Sequence, residues 1–147
     1  MTVLAATTGK NIPSEVVRQG YDLASAYGDE LVVLHVAPES EFEKHQAELQ
    51  TIDEFKDYSV IQEEDSIADF AEQVAKESLD EPFDGVSGMG RVGDPADRII
   101  RAADSVDARY VVIGARRRSP TGKAFFGSTT QSVLLNSTRP VVTVLRD

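Results

Sequence analysis

Three short runs of uninterrupted apolar residues constrain this chain most: Val3 to Ala6, Leu31 to Leu34 and Tyr110 to Ile113. A fourth, Pro140 to Leu145, is broken only by Thr143. Each is too short for a helix and bounded by turn residues, so each reads as a strand buried on both faces. Segments with helical spacing stand between them. Pro13-Ser14-Glu15 offers a helix start, followed by Val16, Val17, Gly20, Leu23, Ala24 and Tyr27, with Gly28 as the stop. Ser66 to Leu79 carries Ile67, Phe70, Ala71, Val74, Ala75 and Leu79 on one face. Asp94-Pro95 opens a third helix with Ile99, Ile100 and Ala103, since Pro is tolerated at the first helical position. Gly127-Ser128 opens a fourth, with Val133, Leu134 and Leu135 as its apolar side.

Two segments are less regular. Residues 39–58 are charged and read as a long connection with some helix, or as a mobile segment. Pro82 to Gly93 reads as a strand, but Gly85, Gly88 and Gly90 suit an edge or a close backbone approach. Strands alternating with helices predict a parallel α/β sheet covered on both faces, joined by right-handed crossovers. The 147 residues, 41% hydrophobic, suit one domain over 1–147, and no linker or repeat divides them.

No run approaches the roughly 18 apolar residues of a membrane span. Met1-Thr2-Val3-Leu4 lacks the basic start of a signal peptide, so a cytoplasmic protein without membrane contact is expected. The absence of cysteine excludes disulfides, thiolate metal sites and thiol catalysis. His35 and His45 fit no zinc spacing, and no calcium-loop spacing occurs among the acids. His35 reads as a structural residue at a strand end. No metal site and no catalytic constellation is expected.

Charge is unevenly spread. The net charge is −10, yet residues 37–81 hold fifteen acids and three Lys/Arg. Residues 108–146 hold no acid and seven bases: Arg109, Arg116, Arg117, Arg118, Lys123, Arg139 and Arg146. The acidic part reads as a solvated face, of a kind that suits a high-salt cytosol where self-repulsion is screened. The basic part calls for an anionic ligand. Nucleic acid fits poorly, because no aromatics interleave with the arginines and the whole chain is acidic.

Gly114 to Phe126 reads as a loop, and the segment from Gly114 to Thr130 follows a core strand and enters a helix N-terminus, a place that favours phosphate. Gly127 allows close approach, and Ser128, Thr129 and Thr130 bring hydroxyls. The competing reading is a polar surface loop with Ser128 as a plain helix cap. A P-loop is excluded, because Arg117 stands where glycine is needed and Ala124 follows Lys123. No Gly-x-Gly-x-x-Gly follows the first strand.

Taken together these features resemble the universal stress protein family, whose ATP-binding members carry Gly-x-x-Gly, nine residues, then Gly-Ser or Gly-Thr. Gly114, Arg117 and Gly127-Ser128 match that spacing, with Arg117 replacing the second glycine. Val3 to Gly9, Leu34-His35-Val36, Gly93-Asp94-Pro95 and Arg139 to Val144 resemble other family segments, so the likeness spans the chain. It implies a doubly wound five-stranded parallel sheet in the order 3-2-1-4-5, helices on both faces, and a homodimer through residues 141–145. It implies ATP or a related adenine nucleotide as ligand, with Mg²⁺ arriving on the phosphates. Base and ribose would lie against Ala6, Thr8 and Val36. The phosphates would lie against Ile113, Gly114, Arg116, Arg117, Gly127, Ser128, Thr129 and Thr130. Thr8 replaces the family's acid, and Arg117 would either clamp phosphate or block the backbone's approach to it, the basic, acid-free surroundings favouring the clamp. The implied role is a stress-response regulator. The alternatives are a ligand-free dimeric module that works through a protein partner, and a weak ATPase. The last lacks a water-activating base near the loop.

Overall fold

The computed structural model describes residues 1–80, 84–116 and 126–146. In chain order it contains β1 (Thr2–Thr8), α1 (Ser14–Tyr27), β2 (Glu30–Ala37) and α2 (Glu39–Leu49), then a 3-10 turn at Asp53–Phe55. There follow α3 (Val60–Ser78), β3 (Val86–Val92), α4 (Pro95–Ser105), β4 (Ala108–Arg116), α5 (Ser128–Asn136) and β5 (Val141–Arg146). All strand pairs are parallel and the order is β3-β2-β1-β4-β5, as expected.

Side chains on successive strand residues point to opposite faces, so the apolar runs feed two core layers. Leu4, Ala6, Leu34 and Ile113 belong to one layer, with Ile99 and Ala103 of α4 and Val133 of α5. Val3, Ala5, Val33 and Val112 belong to the other, with Val16 and Val17 of α1 and Ala71 and Ala75 of α3. Each fully buried aliphatic side chain contributes about 1.5–3 kcal/mol. That burial is why four short runs specify the sheet.

β3 is an edge strand, as its glycines suggested, and the reason is contact with α3. A Cβ on Gly88 would stand 2.0 Å from the Ala68 carbonyl oxygen, and one on Gly90 2.2 Å from that of Glu64. The helix rests on the bare main chain of the strand. Glu64 of the same helix also accepts a hydrogen bond from the Val92 N–H at 3.0 Å, which occupies one donor of β3.

Several boundaries differ from the sequence reading. α3 begins at Val60, six residues before the expected Ser66, because Ser59 and Gln62 form a reciprocal capping box. Phe70, expected on the buried face of α3, is exposed. Residues 39–49 form α2, which buries no residue; from within it, Gln46 Nε2 donates to the Tyr58 carbonyl at 2.9 Å. β3 starts at Val86; the expected start at Pro82 lies outside the described residues. On α5 only Val133 is buried, whereas Leu134 and Leu135 are 40% and 83% exposed. Consecutive helix residues turn by about 100° each, so three in a row cannot share one face. Finally, Gly114 to Arg116 are not loop. They extend β4 and pair with Val144 to Arg146 of β5.

Candidate functional site

The strand order reverses at β1. The chain winds outward through β2 and β3 on one side, then returns to lay β4 and β5 on the other. Connections beyond the carboxyl ends of β1 and β4 therefore leave toward opposite faces, and a crevice opens between them. A cavity of about 280 Å³ occupies that place. Its wall contains Ala6 and Thr8 from β1, Ile113, Gly114 and Arg116 from β4, and Gly127, Thr129 and Thr130 from the start of α5. These are eight of the eleven residues expected at a nucleotide site.

The other three stand differently. Arg117 lies outside the described residues. Ser128 is the exposed first residue of α5 and is not in the wall. Val36 is fully buried in the core; it meets the site only as the register partner of Thr8. The cavity also takes in Thr7, Pro13, Val16, Ile99, Ala115, Val133 and Arg146, which sequence reasoning did not assign to it. Val16, Ile99 and Val133 come from both core layers, because the crevice spans the sheet from face to face.

Gly127 is the N-cap residue of α5 and has no side chain with which to cap it. The first hydrogen bond inside the helix is donated by the Gln131 N–H to the Gly127 carbonyl at 3.0 Å. The N–H groups of Ser128, Thr129 and Thr130 thus have no acceptor within the helix. No acid stands in its first turn. This end of α5 carries partial positive charge into the cavity wall.

The seven bases of the C-terminal segment divide by position. Arg109 Nε donates to Asp29 Oδ2 at 2.7 Å, and its guanidinium lies 4.4 Å from the centre of the Tyr27 ring. Hydrogen bonding to Arg109 holds the Asp29 carboxyl below the ordinary carboxylate range and raises Arg109 in turn. Arg139 pairs with Asp107 at 2.9 Å and Asp104 at 3.4 Å, and the Asp107 bond raises its pKa. Both lie near the amino end of β4. At its carboxyl end, Arg116 and Arg146 have no acidic partner among the described residues, and no acid lines the cavity. Arg118 and Lys123 lie outside the described residues.

His35 supports the cavity from beneath. Its Nε2–H donates to the Gly9 carbonyl at 2.9 Å, fixing the turn after β1, where Gly9 has φ +94°. Its Nδ1 lies 2.8 Å from the hydroxyl of Thr7, a residue of the cavity wall. Burial lowers the imidazole pKa, which favours the neutral ring with Nδ1 as acceptor. The Thr7 hydroxyl also lies 3.0 Å from the Leu34 carbonyl oxygen, so its single proton is held between two acceptors, the carbonyl and Nδ1.

Among the described residues, no three His, Cys, Asp or Glu side chains gather closely enough to hold a metal ion. No helix among them is long and apolar enough to cross a membrane.

Known proteins agree with this geometry. The family model of the universal stress protein family matches residues 1–144. A curated universal stress protein of Mycolicibacterium smegmatis is 43% identical over 51 residues, which are 35% of this chain and only 39% of that protein. The structure of a universal stress protein from Archaeoglobus fulgidus superposes with a TM-score of 0.62 at 28% identity, over 97% of both chains. A structure from the same organism, of the universal stress protein in complex with dAMP, gives 0.58 at 24% identity, over 97% of this chain and 96% of the other. The crevice at the β1–β4 reversal, the glycine-led α5 and the match along nearly the whole sequence converge: this chain belongs to the universal stress protein family.

Proposed function

We propose that this protein is a cytoplasmic stress-response regulator that binds ATP or a related adenine nucleotide in the cavity between β1 and β4. One observation carries the reading. A cavity at the sheet's reversal point is bounded by an uncapped helix start and by Arg116 and Arg146, and among the described residues these two have no acidic partner and the wall has no acid. Such a surface attracts phosphate and repels nothing about it. Base and ribose would take the less polar end near Ala6, Ile113 and the Thr8–Val36 pair. The phosphates would take Gly114, Arg116, Gly127, Thr129, Thr130 and the free N–H of Ser128 at the helix start, and from its place in the sequence Arg117 would clamp them. The related protein solved with dAMP supports an adenine ligand of this kind. Mg²⁺ would enter with the phosphates, which supply hard oxygen ligands.

The site is built for holding rather than hydrolysis. Water attack on a phosphoryl group is aided by a positioned base. The described wall offers only hydroxyls and guanidinium groups, and Thr8 stands where the family's acid would be. The acidic face of residues 37–81 suits a salty cytosol and leaves room for a protein partner.

A homodimer through β5 completes the proposal. β5 is an edge strand, its Leu145 is 39% exposed, and an apolar unpaired edge invites association. A two-fold copy would cover it. Val144→Glu or Leu145→Lys would then yield monomers in sedimentation, and a wild-type monomer at micromolar concentration would refute the dimer.

Nucleotide binding is tested by thermal shift and calorimetry with ATP, ADP, AMP and cAMP, with and without Mg²⁺. A melting midpoint that rises with ligand concentration is expected. No shift with any of them at millimolar concentration ends the reading.

A further inference from the structure

We infer that Arg146, at the carboxyl end of β5, is the second cationic arm of this cavity, and that with Arg116 it selects nucleotides carrying more than one phosphate. This rests on the nucleotide reading of the cavity and adds a specificity-determining residue to it.

Arg116 and Arg146 are register partners at the last rung of the β4–β5 ladder. Partners on neighbouring parallel strands stand side by side and point to the same face. Both residues line the cavity. The Arg146 side chain does not run into solvent. Its Nε lies 3.8 Å from where a Cβ on Gly114 would stand, so the arginine leans back across β4 toward the crevice. Gly114 leaves that path unobstructed. A side chain there would meet Val16 Cγ2 at 3.1 Å and occupy the space beside the guanidinium.

The Arg146 Nε is buried and has no hydrogen-bond partner among the described residues. A buried guanidinium N–H without an acceptor is costly, and a native protein keeps one where a ligand supplies what is missing. Arg109 and Arg139 are each engaged by carboxylates, and of the two buried guanidinium Nε atoms without a partner among the described residues, those of Arg98 and Arg146, only that of Arg146 belongs to a residue of the cavity wall. Two like charges on one rung also repel, and an anion between them relieves that repulsion. One phosphate group can answer the α5 start and one guanidinium. A second arm beside it favours a ligand with further phosphoryl oxygens to meet it.

The test compares wild type with Arg146→Gln and Arg146→Lys by calorimetry, using ATP, AMP and inorganic tripolyphosphate as probes. Hydrogen bonding to a charged group predicts that Arg146→Gln weakens ATP and tripolyphosphate about tenfold or more. AMP should change by less than about threefold, and Arg146→Lys should keep part of the loss from appearing, since it retains the charge. Circular dichroism and the melting midpoint establish that each variant is folded. Unchanged ATP affinity in Arg146→Gln overturns the inference while leaving nucleotide binding intact. Equal losses for ATP and AMP also overturn it, because they would mark a residue that merely holds the wall in shape. A wild type that binds tripolyphosphate but no nucleotide would remove the adenine reading and leave Arg146 tested by tripolyphosphate alone. A wild type that binds none of the three removes both.

Discussion

The two flanks of the sheet solve opposite problems with the same strand–helix unit. On the β3 side, α3 settles onto a strand stripped of side chains at Gly88 and Gly90, and the outer surface is acidic. On the β4–β5 side, a glycine at the corresponding depth, Gly114, is not covered by a helix backbone. It leaves open space, and that space is edged with arginine. Glycine thus closes one flank and opens the other. The difference lies in what stands above it: main-chain atoms near 2 Å in the first case, the Val16 methyl and a guanidinium in the second.

The sharpest way to break this contrast is to give both flanks a methyl group. Gly88→Ala with Gly90→Ala forces α3 off the sheet, and overpacking against backbone should cost about 3 kcal/mol or more in urea denaturation. Gly114→Ala meets only the Val16 side chain, which can shift by tenths of an ångström, so its cost should stay near ~1 kcal/mol. Equal destabilisation by the two changes would show that the flanks are alike after all.

A second pair of substitutions separates arginines that serve the fold from those that serve the ligand. Arg116→Gln should reduce ATP affinity about tenfold and leave the melting midpoint unmoved. Arg109→Gln should do the reverse, because it leaves Asp29, whose side chain is 3% exposed, with the Met1 ammonium at 3.5 Å as its remaining charged partner among the described residues, beside an emptied place over the Tyr27 ring. Calorimetry and thermal melts on both variants decide the matter. Loss of affinity in Arg109→Gln would mean that charge acts across the whole sheet rather than locally.

The smallest expected effect concerns pH. Burial keeps the folded His35 pKa below the ordinary 6.5. As the pH falls through about 6.5 the unfolded chain takes up this proton first, so stability declines until the folded imidazole protonates as well. His35→Gln removes one titrating group and should flatten that part of the stability profile relative to wild type. Parallel profiles for the two proteins would mean that His35 titrates alike in both states.

The sheet was legible because its central strands are continuous apolar runs, and alternation with amphipathic helices leaves few topologies. Part of what was misread was also in plain sight. Ser59 followed by Gln62 is a capping signature, but the exposed Val60 and Ile61 and the dense acids around them hid the start of α3. Gly114-Ala115-Arg116 looks like loop in isolation; it stays extended because β5 supplies a hydrogen-bonded partner for each residue, information that lies thirty residues away. The polar half of the candidate site could be read from Gly127 and the hydroxyls after it. The apolar half could not, since Val16, Ile99 and Val133 belong to the core and line the cavity at once. Arg146 was visible only as a charge in a count. Its place beside Arg116 emerges from strand register.

The seat of α3 on bare main chain has a consequence for how this protein can change over time. A helix held by interlocking side chains must conserve their sizes, and each replacement on one partner asks for another opposite it. Here the contact surface has no shapes to match at its closest points. The solvent-facing residues of α3 are therefore released from the task of holding it down, and the surface charge of this flank can be rewritten, to suit another salinity or another binding partner, without disturbing the pocket on the far side.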